Sequence, residues 1–412
     1  MHLQKIPRVN FSDFNFEPSL TEGLSYMNFK DATPVQVQAI PLIMQGKDII
    51  ACAQTGTGKT AAYLLPVLNN ILKTKSTGTN TLVIVPTREL AQQIDQALEG
   101  FSYFLNISHR AIYGGSDGMA FESEKRSLTD GADILIATPG RLMAHLAMGY
   151  VKFDSIKHLI LDEADRMLDM GFVDDIAKII TYMPKQRQTL MFSATMPSNI
   201  RHLANRILIN PTEINIAISK PAEGILQCAY LTYDQQKTPL LIELVAGKNI
   251  DSIIVFASTK QKVKNLEREL IQKGVKARAI HSDLEQSERE SVMLDFKNRK
   301  FPMLVATDIV SRGIDIEGIG LVVNYDVPGD AEDYVHRIGR TARADKTGIA
   351  ITFINEPDIP KFFKIEKLLE KEVKKLPLPI DLGQGPIYDP SAHTKMQRNT
   401  FQRRSFKPKH RK

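Results

Sequence analysis

Short apolar runs that favour β structure alternate with helix-length segments along the chain, and this series occurs twice. In the first half the runs are Asp48–Cys52, Thr81–Val85, Asp133–Ala137, His158–Leu161 and Thr189–Phe192. In the second half they are Ser252–Phe256, Ala277–Ile280, Met303–Ala306, Leu321–Tyr325 and Ala350–Ile354. Strands that alternate with helices favour a parallel sheet covered by helices on both faces. The pattern therefore predicts an α/β protein with two tandem domains.

The domain boundaries follow from where this pattern is interrupted. Residues 217–224 contain Ser, Lys, Pro and Gly without periodicity, which predicts a flexible linker between a first domain with its N-terminal extension (residues 1–216) and a second domain (residues 225–376). A chain of 412 residues suits two domains of ordinary size. Residues 377–412 lack the pattern and are predicted to form a basic, disordered tail.

Composition narrows the class of protein. Hydrophobic residues make up 43% and charged residues 24% of the chain, as in ordinary globular proteins. There is no apolar run of membrane-spanning length and no signal-peptide layout, so we expect a cytoplasmic protein. The two cysteines, Cys52 and Cys228, fall one in each half, which argues against a disulfide framework or a zinc site.

The first strand leads into a candidate phosphate-binding loop. The segment Ala53–Thr60 reads AQTGTGKT and precedes the helix predicted over Ala61–Leu72. Glycines let backbone N–H groups surround phosphates, Lys59 would reach the outer phosphates, and the Thr60 hydroxyl would bind Mg²⁺. Ala53 stands where the strict pattern has glycine. The alternative is that Lys59 is a solvent-facing lysine at the start of a helix.

Acidic residues follow another buried strand, His158–Leu161. Asp162 is a candidate Mg²⁺ ligand, because nucleotide hydrolases place an Asp at the end of a strand, and Glu163 is a candidate base for orienting water. The alternative is that Asp162 and Glu163 only favour the positive end of the next helix.

Two further groups suggest nucleotide chemistry. Gln36 offers a donor and an acceptor for the edge of an adenine, and Phe29 offers a stacking face. Their alternative reading is an exposed glutamine and a core phenylalanine. Arg337, Arg340 and Arg343 recur every three residues in a half that lacks its own phosphate loop. They are predicted to reach the phosphates of the first domain as an arginine finger, or else to be solvated on a surface helix.

Taken together, the motifs resemble those of DEAD-box ATP-dependent RNA helicases, over about residues 11–370. The name-giving segment is Asp162-Glu163-Ala164-Asp165. The other family segments follow in order and are Pro86–Ala91, Gly114-Gly115, Thr138–Arg141, Ser193-Ala194-Thr195, Gln286 with Arg289, Ala306-Thr307-Asp308 and Arg312–Asp315. The compact core and short tail look most like the bacterial RhlE-like branch. The resemblance implies two RecA-like domains.

The resemblance also implies a role for each matching residue. It implies ATP binding by Phe11, Phe29, Gln36, Gln54, Thr55, Gly56, Thr57, Gly58, Lys59, Thr60 and Asp315. It implies hydrolysis and its coupling to domain closure by Asp162, Glu163, Ser193, Thr195, His336, Arg337, Arg340 and Arg343, with Mg²⁺ held by Thr60 and Asp162. It implies RNA-backbone contacts by Arg88, Gly115, Thr138, Gly140, Arg289 and Thr307. Ser311 and Ala342 stand where the family usually has Ala and Gly.

The implied function is an RNA-dependent ATPase that locally unwinds short duplexes or remodels RNA–protein complexes. A second reading is an ATP-gated RNA clamp, a binding module within a larger complex. The expected partner is RNA with little sequence specificity, with ribonucleoprotein or RNA-decay partners, no membrane, and a monomeric chain.

The basic tail offers a separate prediction. The net charge is +6, but residues 391–412 carry eight Lys and Arg and no acid, which leaves about −2 for residues 1–390. Phe401 and Phe406 are interleaved with these cations. Such a segment resembles a flexible tether for RNA, and the alternative is a solvated tail that only aids solubility.

Overall fold

The structure is a computed structural model of the chain, and it describes residues 9–54, 56–74, 78–114, 118–216, 224–248, 250–307, 318–341 and 348–391. The chain divides into two compact units, Met1–Ser219 and Lys220–Lys412. The predicted linker and the last 21 residues lie almost entirely outside the described ranges.

Unit 1 contains one parallel sheet, which has seven strands in the described residues. They are β1 (Ile49–Cys52), β2 (Thr81–Ile84), β3 (His109–Ile112), β4 (Ile134–Ala137), β5 (His158–Leu161), β6 (Gln188–Ser193) and β7 (Thr212–Asn215). The order across the sheet is β3-β4-β2-β5-β6-β1-β7, with every described pair parallel. Because side chains alternate between faces, Leu159 and Leu161 enter one core cluster and Ile160 the other.

Helices cover both faces of this sheet. They are α1 (Pro18–Tyr26), α2 (Pro34–Met44), α3 (Lys59–Thr74), α4 (Arg88–Phe101), α5 (Gly118–Asp130), α6 (Pro139–Ala147), α7 (Ala164–Asp169), α8 (Val173–Thr181) and α9 (Ser198–Ile207). A 3₁₀ turn, Phe11–Phe14, precedes them. The helix predicted over Ala61–Leu72 begins two residues earlier, at Lys59, and ends two later.

Unit 2 repeats the same plan. Its strands in the described residues are β8 (Ile225–Leu231), β9 (Ile253–Phe256), β10 (Ala277–Ile280), β11 (Met303–Ala306), β12 (Leu321–Asn324), β13 (Gly348–Ile354) and β14 (Lys374–Leu376). Its helices there are α10 (Asp234–Val245), α11 (Lys260–Gln272), α12 (Gln286–Lys297), α13 (Ala331–Ile338) and α14 (Ile359–Leu369), with 3₁₀ turns at Glu356–Asp358 and Ile380–Leu382. The strand order is β10-β11-β9-β12-β13-β8-β14. The predicted fold class is confirmed.

Four strands were missed by the sequence pattern, namely β3, β7, β8 and β14. Three of these, β3, β7 and β14, lie at sheet edges, where one side meets solvent and polar residues replace the apolar run. The fourth, β8, is broken by polar and exposed positions, including Gln227 and Leu226, which is 65% exposed.

The ordered part of unit 2 extends past the predicted boundary at residue 376. Residues 377–391, which we call the C-terminal strap, were assigned to the disordered tail but lie against unit 2. The Gln236 side-chain amide donates to the carbonyl of Leu382 at 2.7 Å. The Tyr388 hydroxyl donates to the buried Glu366 carboxylate, and Lys375 lies 4.2 Å from the centre of the Tyr388 ring. These contacts hold the strap on unit 2 although its low apolar content had predicted disorder.

Candidate active site

The candidate residues of unit 1 gather at one edge of its sheet. Because all its strands are parallel, their carboxyl ends share one edge, which is where α/β folds bind ligands. The phosphate loop follows β1, Asp162 and Glu163 follow β5, and Ser193 and Thr195 lie at the end of β6 and just after it; these three strands are adjacent. Those predicted to bind RNA follow β2, β3 and β4, which are also adjacent. We call these two parts of the edge, which meet between β5 and β2, the nucleotide half and the RNA half, after the predictions made for their residues.

The phosphate loop joins β1 to α3. Gly56 and Gly58 adopt φ of +83° and +88°, a left-handed conformation that side chains other than hydrogen disfavour. Lys59 begins α3 and is buried, and within the described residues its Nζ has no hydrogen-bond partner. The side-chain nitrogen of Gln54 is also buried without a partner there. Buried donors without partners fit a loop that surrounds an anion.

Gln36 lies directly against this loop. Its Oε1 accepts a hydrogen bond from the Thr33 backbone N–H at 2.8 Å, across the first turn of α2. Its Nε2 donates to the carbonyl of Gly58 at 3.1 Å. The residue is 3% exposed, so the alternative of an ordinary surface glutamine does not describe it. The candidate adenine reader is thus joined to the candidate phosphate loop.

Phe29, which precedes Gln36 in the sequence, belongs to a cluster of aromatic side chains. Its ring meets Phe11 edge to face at 5.4 Å between centroids, and Phe101 at 5.5 Å. Phe11 is buried, whereas Phe29 is only half-buried. Phe11 therefore supports the Phe29 ring, and Phe29 keeps exposed surface for a ligand.

Asp162 and Glu163 follow β5 and are both buried. Burial raises the pKa of each carboxyl group, and the positive charge of Lys59 acts in the opposite direction on both. Glu163 has φ 51° and ψ 51°, which a non-glycine residue adopts at a cost of about 1–3 kcal/mol. Within the described residues its Oε2 has no hydrogen-bond partner, although Arg166 lies 3.9 Å away. Backbone strain and a buried oxygen without a hydrogen bond at one residue are typical of a catalytic carboxylate.

Asp165 joins this segment to the loop after β6. Its Oδ2 accepts hydrogen bonds from the backbone N–H of Ala194 at 3.1 Å and of Thr195 at 2.8 Å, and from the Thr195 hydroxyl at 3.0 Å. The buried Ser193 hydroxyl accepts the Asp165 N–H at 3.1 Å. Sequence reasoning gave Asp165 no role, although it closes the name-giving segment.

The RNA half contains the predicted contacts Arg88, Thr138 and Gly140. Arg88 is the first residue of α4, and Thr138 precedes α6, where its N–H donates to the carbonyl of Ile112 at 3.0 Å. Gly140 is exposed, with nothing within 4 Å of a methyl group placed on it. The two helix N-termini, with an exposed glycine in one of them, suit approach by a phosphate backbone.

Glu124 braces this half and was missed by sequence reasoning. Its buried carboxylate accepts hydrogen bonds from Arg141 Nε at 2.7 Å and from the Tyr113 backbone N–H at 3.2 Å, and its Oε2 lies 3.0 Å from His145 Nε2. It thereby ties α5 to the start of α6 and to the end of β3.

In unit 2 the predicted residues fall into two places. Arg289 on α12 and Thr307 after β11 follow adjacent strands of the sheet. Arg337 points inward, since its Nη1 donates to Asn324 Oδ1 at 3.0 Å and to the carbonyl of Asp326 at 2.9 Å, and its guanidinium lies 5.0 Å from the centre of the Phe256 ring. Arg337 is therefore not a solvated arginine on a surface helix.

The remaining predicted residues differ in what the structure describes. His336 lies in the last turn of α13 and Arg340 lies just after the helix ends at Ile338; both are half-buried. Thr55, Gly115, Asp315 and Arg343 lie outside the described residues, as do the family departures Ser311 and Ala342.

A Mg²⁺ site at Thr60 and Asp162 fits what is present. The part of the chain that the structure describes holds no group of three or more His, Cys, Asp or Glu side chains able to bind a metal. Mg²⁺ bound with a nucleotide needs no such group, because one or two carboxylates, phosphate oxygens and water complete its shell.

Comparison with known proteins decides the family. Residues 33–203 match the DEAD/DEAH box helicase family and residues 236–345 match the helicase conserved C-terminal domain. The ATP-dependent RNA helicase CshA of Listeria monocytogenes is 42% identical over 382 residues, which span 92% of this chain and 71% of the relative. The chain belongs to the DEAD-box ATP-dependent RNA helicase family. CshA of Bacillus subtilis is 38% identical over 90% of this chain and 74% of its own length.

Solved structures extend the likeness to both units. Saccharomyces cerevisiae Dbp5 bound to RNA and ADP BeF3 has a TM-score of 0.79 at 27% identity, covering 95% of this chain and 99% of Dbp5. A truncated Mss116p bound to single-stranded RNA and AMP-PNP has a TM-score of 0.77 at 26% identity, covering 92% of this chain and 82% of that chain. Among the described residues, none of the helices has the length and apolar character needed to span a membrane.

Proposed function

We propose that this DEAD-box helicase is an RNA-dependent ATPase that separates short RNA duplexes locally or remodels RNA–protein complexes. The observation that carries the proposal is that the residues predicted to act on the nucleotide and those predicted to bind RNA follow two neighbouring groups of strands at one sheet edge. The RNA-bound and nucleotide-bound states of Dbp5 and Mss116p, which share this fold, support it.

In the nucleotide half, each residue has a distinct task. Gln36 and Phe29 select and stack the adenine, and the loop with Lys59 holds the phosphates. Thr60 and Asp162 would hold Mg²⁺, which would supply positive charge to neutralise the phosphates when bound. Glu163 orients the attacking water through its Oε2, which is buried and available for that hydrogen bond.

Asp165 transmits shifts of Asp162 and Glu163 in the nucleotide half to the loop after β6. Asp162, Glu163 and Asp165 are consecutive or nearly so, so a shift at the first two moves the third. Asp165 then shifts Thr195 through the bonds at 2.8 and 3.0 Å. This is the physical form we propose for coupling hydrolysis to closure of the two domains, in which Arg340 and Arg343 take the phosphate-contacting role that the resemblance implies.

RNA binding is proposed to rest on backbone contacts. Arg88, Thr138 and Gly140 in unit 1, and Arg289 and Thr307 in unit 2, present cations, hydroxyls and backbone N–H groups. Such contacts position a strand but carry little sequence information. The helicase is therefore expected to accept many RNA sequences.

The second candidate is an ATP-gated RNA clamp, in which hydrolysis only times release. A multiple-turnover unwinding assay on a short RNA duplex separates the two. The helicase should separate more than one duplex per protein with ATP and none without it, and the Glu163→Gln variant should serve as the non-hydrolysing control. Tight RNA binding with ATP but no repeated strand separation would favour the clamp. A DNA strand of the same sequence should not stimulate the ATPase, because backbone contacts to RNA include the 2′-hydroxyl.

The finer assignments are also proposals. The relatives named above carry the name CshA, and the RhlE-like branch suggested by the short tail stays a prediction. A cytoplasmic location is proposed on the sequence pattern described above. A monomeric state and ribonucleoprotein or RNA-decay partners are proposed on the family resemblance.

A further inference from the structure

Tyr63 is a buried residue on the helix that follows the phosphate loop. It lies four residues after Lys59 and three after Thr60, so all three share one face of the first turns of α3. The side chain is fully buried, and its ring centre lies 5.1 Å from that of Phe192 on β6. Packing on β6 fixes the ring, and so fixes where its hydroxyl points.

The hydroxyl points at the candidate Mg²⁺ ligand. It donates to Asp162 Oδ2 at 3.0 Å, while Oδ1 of the same carboxylate accepts the Glu163 backbone N–H at 2.9 Å. Each carboxylate oxygen is therefore held by one donor, and the carboxylate plane cannot rotate without breaking one of these bonds. Burial, and next the negative charge of Asp162, hold the pKa of Tyr63 well above its ordinary value, so the phenol stays protonated.

We propose that Tyr63 is a positioning residue that holds the Asp162 carboxylate in the orientation needed to receive Mg²⁺ together with the nucleotide. The inference rests on the proposed Mg²⁺ role of Asp162. A carboxylate that is already oriented loses less freedom when the ion binds, which strengthens binding without any contact between Tyr63 and the ion.

The test is the Mg²⁺ dependence of nucleotide binding, measured without hydrolysis. A fluorescent ADP is titrated with Mg²⁺ against the wild-type chain and against Tyr63→Phe, which removes only the hydroxyl. The loss of one hydrogen bond should raise the Mg²⁺ concentration for half-saturation by about 3- to 30-fold. The affinity for fluorescent ADP in EDTA should stay the same, because Tyr63 does not touch the phosphate loop in this role.

Tyr388→Phe is the matched control, because it removes the same kind of bond, from a tyrosine hydroxyl to the buried Glu366 carboxylate, in unit 2. It should leave the Mg²⁺ dependence unchanged. Thermal unfolding without nucleotide sets a temperature at which all variants are folded, and Tyr63→Met, which also lacks the hydroxyl, should reproduce the shift.

An unchanged or lowered half-saturation in Tyr63→Phe would overturn the inference, the lowered value meaning that Tyr63 competes with the ion. Equal weakening in EDTA and in Mg²⁺ would also overturn it, since Tyr63 would then support the loop. If the affinity of the wild-type chain for ADP did not depend on Mg²⁺, the proposed Mg²⁺ site itself would be refuted, and the inference about Tyr63 with it.

Discussion

Replacing Gly58 by alanine tests whether the adenine reader and the phosphate loop are one mechanical unit. A methyl group on Gly58 would lie 2.4 Å from Nε2 of Gln36 and 3.2 Å from the Thr33 hydroxyl, so Gln36 must move. The left-handed φ of +88° costs an alanine about 1–2 kcal/mol. Loss of the bond from Gln36 to the Gly58 carbonyl costs about 0.5–1.5 kcal/mol more.

The total of about 1.5–3.5 kcal/mol corresponds to a Kd for ATP raised about 10- to 400-fold, because the bound state needs the undistorted loop. Equilibrium binding of a fluorescent ATP analogue measures it directly. Gly149→Ala is the matched control, since Gly149 also has a left-handed φ, of +78°, but nothing lies within 4 Å of the added methyl group. That variant should lose about 1–2 kcal/mol of unfolding free energy and keep its ATP affinity.

A double-mutant cycle isolates the collision from the backbone strain. In a Gln36→Ala background the added methyl group has no amide to displace, so Gly58→Ala should cost only its left-handed strain. If Gly58→Ala lowers the affinity for ATP by the same factor in the wild-type and Gln36→Ala backgrounds, the contact between Gln36 and the loop contributes nothing to ATP binding. That result would refute the proposed link between Gln36 and the loop.

Three further predictions address catalysis, pH and the tail. Glu163→Gln should bind ATP and RNA but stop turnover, whereas Lys59→Ala should weaken phosphate binding itself; hydrolysis by the Gln variant within a few-fold of wild type would contradict the base assignment. Burial lowers the pKa of His158 to about 4, so the unfolded state takes up its proton first as the pH falls below 6.5, and unit 1 should lose about 3 kcal/mol of stability between pH 6.5 and 4. The free energy of unfolding of His158→Asn, measured with urea, should depend less on pH than that of the wild type. An unchanged pH dependence would exclude His158 as its source. Deleting residues 391–412 should raise the KM for RNA, lower the slope of log affinity against log salt by about 2–3, and leave kcat unchanged at saturating RNA. An unchanged salt slope would identify the tail as a solvated segment.

The sequence predicted best what depends on neighbours along the chain. The apolar run before Asp162 and the glycines before Lys59 identified a strand and a loop, because each is a local pattern with one structural solution. The inward orientation of Arg337 could not be predicted in this way, since its partners Asn324 and Asp326 lie on another element.

The hydrogen bonds of Asp165 and Glu124 could not be predicted from the sequence either. Asp165 meets Thr195 thirty positions away, and Glu124 meets Arg141 seventeen positions away, so only the fold brings them together. For the C-terminal strap, the sequence predicted less order than the structure has. Its composition suggested disorder, but Tyr388 and the carbonyl of Leu382 find specific partners on unit 2, and a few such contacts order a polar segment.

The two sheets place their strands in the same sequence-relative order, and this likeness has an evolutionary reading. A duplicated ancestral domain would place a loop after β8 where the first copy has its phosphate loop after β1. In the second copy that position, next to Leu231, has no glycine-rich turn and is instead met by the strap, whose Gly385 packs against the Leu231 carbonyl. The same position of the repeated plan thus carries the candidate phosphate loop in unit 1 and anchors the chain's own C-terminal strap in unit 2.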